Sequence, residues 1–106
     1  MITEETIKEA VIRLADRFHL DRIILFGSYA RGTADKHSDV DLLVICPVKK
    51  DRKKMAFEMD MALWGLCMAR DIVLLTSKEF DADKEIPGTV ARYAWKEGRL
   101  LYERKQ

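Results

Sequence analysis

The chain has 106 residues, 48% apolar and 35% charged, with 19 Lys and Arg against 18 Asp and Glu. That length suits a single core, so 1–106 reads as one domain, and the near-balance of charge argues against direct nucleic-acid binding. No apolar run approaches the roughly 18 residues that span a bilayer. The acidic, amphipathic start MITEETIKEA has no signal-peptide pattern. Cys46 and Cys67 stand alone in apolar surroundings and read as reduced core residues, not as a disulfide or zinc site. These features predict a cytoplasmic protein with no membrane partner.

Residues 3–18 place Ile7, Val11, Leu14, Ala15 and Phe18 at helical spacing, with Thr3 as the N-cap. Ile23–Phe26 is apolar on both faces and predicts a central strand. Gly27 permits a tight turn out of it, and Ser28–Arg31 predicts one helical turn whose first amides suit a phosphate. A polar loop, Thr33–Ser38, precedes a second strand over Asp39–Ile45, which Pro47 closes. Residues 50–68 carry the longest helical pattern. Ala56, Met59, Leu63, Leu66 and Cys67 form its stripe, and Met55, Met61, Trp64 and Met68 widen it, mostly as core. The run Lys49–Lys54 at its start reads as solvated charge or as a docking edge for an acidic or RNA-bearing partner.

A third strand, Ile72–Leu75, is led by Asp71. Thr76 to Glu79 has a capping-box pattern for a short helix, and Asp81–Glu85 reads as a charged loop. Pro87 suits the first turn of a final helix that Gly98 stops, and RLLYE (Arg99–Glu103) predicts a last strand. A strand–helix–strand unit is a right-handed crossover between parallel strands, so strands two and three should start at the same end. The short loop between strands one and two makes those antiparallel. The topology then brings Ser28, Asp39, Asp41 and Asp71 to one end of the sheet.

In a strand, residues i and i+2 share a face, so Asp39 and Asp41 aim at one point. Carboxylates so placed repel unless a cation sits between them, and Mg²⁺, which takes oxygen ligands and accompanies nucleotide phosphates, suits them. Gly27-Ser28, ten intervening residues and Asp39-Val40-Asp41 match the G-S-x10-D-x-D signature, and GSYARGTADKHSDVDLLV resembles the minimal nucleotidyltransferase (MNT) antitoxin branch of the DNA polymerase beta-like superfamily. The resemblance covers the whole chain and implies a single minimal domain of α/β (α+β) class, a small mixed sheet with helices packed on it.

By that resemblance Asp39, Asp41 and Asp71 are the catalytic, Mg²⁺-binding acids, with Asp71 helping to activate the attacking hydroxyl. Gly27 and Ser28 contact the β- and γ-phosphates of ATP. Arg31 is a nucleotide-binding candidate that could instead cap its loop through backbone carbonyls. Ser38 reads as a loop end, and Tyr29 and His37 as loop surface, although Tyr29 could stack on a base. The implied activity is AMP transfer from ATP to a tyrosine hydroxyl of a helical HEPN ribonuclease toxin, within a hetero-oligomer of toxin and antitoxin. Two alternatives stay open: an antitoxin that neutralises by binding alone, and an aminoglycoside-type small-molecule nucleotidyltransferase.

Overall fold

The computed structural model describes residues 1–49 and 51–105; Lys50, within the basic run, lies outside the described residues. The elements follow the order α1 (Glu4–Arg17), β1 (Arg22–Phe26), α2 (Ser28–Arg31), β2 (Val40–Ile45), α3 (Arg52–Ala62), β3 (Arg70–Leu75), α4 (Ser77–Asp83), α5 (Val90–Glu97) and β4 (Arg99–Glu103). The sheet has the order β3-β2-β1-β4. β1 is antiparallel to β2 and β4, and β2 is parallel to β3, as the loop and crossover lengths require. The fold is the mixed α/β sheet with packed helices that the sequence predicts.

Strand alternation divides the core in two. Ile23, Leu25, Val40, Leu42, Val44 and Leu74 point to one face, under Ile7, Ala10 and Leu14 of α1 and Met59 of α3. Ile24, Leu43 and Ile45 point to the other, where Phe80 of α4 and Ala91 and Ala94 of α5 cover them. Being apolar on both faces, β1 and β2 have to be central, and they are. On the second face the covering helices leave the start of β2 open, and there the apolar series gives way to Asp41.

Several boundaries differ from expectation. β2 begins at Val40, leaving Asp39 one residue before the strand. α3 ends at Ala62, well short of 68: Gly65 (φ 93°) and Cys67 (φ 52°) take left-handed conformations that no helix continues through. The predicted apolar stripe also breaks up. Met59 and Met68 are buried, but Met61 is 49% and Trp64 75% exposed, and Cys67 is an exposed thiol instead of a core one. α4 runs to Asp83 through part of the expected charged loop. α5 starts at Val90 under a Thr89 cap, because the Thr89 hydroxyl, which accepts from the Arg92 amide, ends a turn that contains Pro87.

The Thr76–Glu79 capping box is complete, and it extends into a tertiary clamp. The Glu79 carboxylate receives both Arg52 guanidinium nitrogens at 2.9 Å, and Arg52 also donates to the Leu74 carbonyl at 2.8 Å. Arg52, then the Thr76 amide, hold the Glu79 carboxyl down to about 2. A depressed carboxyl stabilises the fold above its ordinary value of 4.5 and loses that contribution as pH falls toward about 2. On these half-exposed side chains the effect is modest. Glu79→Gln is expected to cost at most about 1 kcal/mol at neutral pH. In urea unfolding, the gap from wild type should close as pH drops from 4.5 to about 2. A gap of constant size would show that the charge of Glu79 contributes nothing.

Candidate active site

β1 ends in a turn that only glycine accommodates. Gly27 has φ 77°, and a Cβ there would overlap Asp41 Oδ2 and stand 3.1 Å from its Cγ. The Asp41 carboxylate thus lies directly over the backbone of the turn. The Gly27 carbonyl accepts the Ala30 and Arg31 amides at 3.1 Å, which starts α2 at Ser28 and leaves the first amides of that turn outside its internal bonding. Gly32, in a left-handed conformation, ends it, with its amide on the Ser28 carbonyl.

The sheet register supplies the acids. Phe26 faces Asp41 across β1–β2, and Asp41 faces Asp71 across β2–β3. Directly paired residues share a face, so Phe26, Asp41 and Asp71 form one row across the sheet. Asp39 precedes β2 by one residue, exposed beside the row. Burial, then the charges of Asp71 and Asp39, push the Asp41 carboxyl above its ordinary range, and Arg31 acts weakly the other way. The four residues that the topology gathers are therefore gathered, and three of them share one electrostatic field.

Among the described residues no three His, Cys, Asp or Glu side chains close around a single point. The acids form a cluster, not a finished cage. Its chemistry nonetheless fits Mg²⁺: hard carboxylate oxygens, mutually repelling, with an excess of negative charge that a dication would cancel. A groove of 690 Å³ opens on the same face, lined by Phe26, Thr89, Arg92 and Tyr93 among others. Another cavity, 340 Å³ around Phe18, Cys46 and Met59, lies where β2 ends, at the opposite end of the sheet from the acids.

Arg31 neither caps a carbonyl nor pairs with an acid among the described residues. Its guanidinium lies over the Tyr93 ring at 5.6 Å, and Tyr93 in turn meets Phe26 edge-to-face at 6.1 Å. That column holds Arg31 at Tyr93, where its charge still reaches Asp41, and nothing in the local pattern around Tyr93 announced it. Tyr29 is not loop surface: it sits in α2 against the core, and its hydroxyl accepts the Ile2 amide at 3.1 Å. Ser38 does more than end a loop. Its hydroxyl accepts the Asp35 amide at 2.9 Å and donates to Asp35 Oδ1 at 3.2 Å, ordering the approach to Asp39. His37 is exposed in that loop, as expected.

A nucleotidyltransferase domain model matches residues 5–101. The chain belongs to that family and is a nucleotidyltransferase. It is 33% identical over 106 residues to the "Putative protein adenylyltransferase MJ0604" of Methanocaldococcus jannaschii, spanning 96% of this chain and 100% of that one. Among solved structures it resembles a mutant of the MntA–HpeT toxin–antitoxin, with TM-score 0.65, 25% identity and coverage of 99% of this chain and 76% of the other. It also resembles a toxin–antitoxin with AMP-PNP, with TM-score 0.62, 26% identity and coverage of 92% and 74%.

The raised Asp41 carboxyl has a measurable consequence. A carboxyl whose folded value is raised favours the fold below its ordinary 3.8 and opposes it once pH passes the raised value. Asp41→Asn is therefore expected to raise the melting temperature of the protein without added metal or nucleotide at pH 7. The difference should vanish below pH 3.8, where both side chains are neutral. A variant that melts earlier than wild type at pH 7 would show that the Asp41 charge is not held against repulsion.

Proposed function

We propose that this chain is the antitoxin of a toxin–antitoxin pair and that it transfers AMP from ATP to a tyrosine hydroxyl of a HEPN ribonuclease toxin. The observation that carries the reading is the pairing of Asp41 with Asp71 beside the Gly27-Ser28 turn. Support comes from the relative named as a protein adenylyltransferase and from two toxin–antitoxin neighbours, one with AMP-PNP. Residues 1–106 act as one minimal domain, in the cytoplasm, where ATP is available; no helix among the described residues is long and apolar enough to cross a membrane.

In this proposal Asp39, Asp41 and Asp71 hold Mg²⁺, which when bound supplies positive charge against the phosphate oxygens. The Gly27 turn lets the β- and γ-phosphates approach the backbone, and the Ser28 hydroxyl donates to them. Arg31, held by Tyr93, meets the charge that accumulates on the departing pyrophosphate. The tyrosine oxygen forms a bond to the α-phosphorus while the bond from that phosphorus to the bridging oxygen breaks. Pyrophosphate leaves with the electron pair, and the hydroxyl proton passes to the Asp71 carboxylate.

A second reading, neutralisation by binding alone, draws on the exposed Phe57, Met61 and Trp64, which would suit a partner whether or not AMP is transferred. Two measurements separate the readings. In calorimetry, Asp39→Asn with Asp41→Asn should abolish Mg-ATP binding, whereas Asp71→Asn should retain binding and lose transfer by at least about a hundredfold, the scale of general-base catalysis. Unchanged affinity in the folded double variant would remove the site assignment.

The toxin, incubated with this chain and ATP, should gain mass in steps of one AMP and stay inactive after separation. An unmodified toxin that regains ribonuclease activity, together with full protection of cells by the double variant, would establish occlusion instead.

A further inference from the structure

β3 is an edge strand, and half of its backbone faces outward. The Val40 amide donates to the Ala69 carbonyl at 2.8 Å and the Cys46 amide to the Leu75 carbonyl at 3.0 Å. In a parallel ladder the bonding residues alternate. Ala69, Asp71, Val73 and Leu75 therefore turn their backbone groups to β2, while Arg70, Ile72 and Leu74 turn theirs away from the sheet. Arg52 already occupies the Leu74 carbonyl. The backbone groups of Arg70 and Ile72 have no partner among the described residues.

Edges of this kind are normally masked by charge, proline or a covering element. Here Arg70, the one charged residue among those whose backbone turns outward, has its side chain drawn back to α3. It donates to Asp60 Oδ1 at 2.8 Å, to the Asp60 carbonyl at 2.7 Å and to the Met68 carbonyl at 3.1 Å. The open stretch brackets Asp71. The direction of the chemistry points the same way. With the terminal phosphates at Ser28, the pyrophosphate departs toward β1, and an in-line attack approaches from the opposite side, over β3.

We infer that the Arg70–Ile72 edge is the docking strand for an extended segment of the acceptor protein, which adds to the sheet and sets its hydroxyl residue beside Asp71. The inference rests on the proposed transfer to a protein. Main-chain pairing of this type supplies affinity, and the strand period fixes which side chain faces the acids.

The test uses the full chain with a HEPN ribonuclease toxin, the acceptor of the proposed reaction. In hydrogen exchange, the Arg70 and Ile72 amides should exchange quickly in the free chain and slow by about tenfold or more in the complex, while Asp71 and Val73 stay slow in both. Ile72→Pro removes an outward amide and no sheet bond, so Mg-ATP affinity should persist while AMP transfer falls by about tenfold or more. Wild-type transfer by that variant, or unchanged exchange of both amides in the complex, overturns the inference. So does protection already present in the concentrated free chain, which would assign the edge to a second copy. Should Ile72→Pro not fold, the exchange pattern of the wild type decides alone. An unmodified toxin that still protects both amides would refute transfer and uphold the docking strand.

Discussion

A carboxylate partly taken out of water, and then set beside like charge, governs the working end of this molecule. Asp41 is set over a glycine turn and beside Asp71 on the next strand, so ionising it in the empty protein is unfavourable. The hydrophobic core on the far side of the row makes the arrangement possible: Leu43 and Ile45 anchor the same face of β2 that Asp41 ends. A strand so well buried cannot shift by one residue without exchanging its two faces, and the carboxylate is kept where it is least comfortable. Stability is given up at a place where positive charge would restore it.

Two further devices act on the same row from different distances. The loop before β2 is tied by Asp35 and Ser38, which limits where Asp39 can go. Arg31 comes from α2 and is braced by an aromatic column that reaches from α5 to β1. The acids and the arginine thus belong to different elements and come to one end of the sheet because its order puts β1 between β2 and β4. Comparable economy appears at the other end, where Arg52 joins α3, β3 and α4 through one guanidinium.

The placement of the candidate residues was legible where it follows from topology. Two carboxylates at i and i+2, a glycine turn and one crossover suffice to place Ser28, Asp39, Asp41 and Asp71 together, because strand direction is a discrete choice. The end of α3 was not legible: its stripe of Leu63, Leu66 and Cys67 continues the helical period, and the left-handed residues that stop it include a cysteine, which carries no turn preference. Tyr93 was equally silent. It lies more than sixty residues from Arg31, and their contact depends on how α5 crosses the sheet, which no local pattern records. Tyr29 was misread for a related reason, since a tyrosine exposed beside a glycine turn and one bonded to the Ile2 amide look alike in sequence.

The two cysteines end up chemically unequal. Cys46 is sealed at the exit of β2, where burial first, and then Asp21, push its thiol up and away from the reactive thiolate. Cys67 stands in solvent on the left-handed turn that leads into β3, four positions ahead of Asp71. A maleimide dye or spin label would thus attach at one place without any engineering. Its position makes that label a native reporter of whatever comes to rest along the β3 side of the molecule.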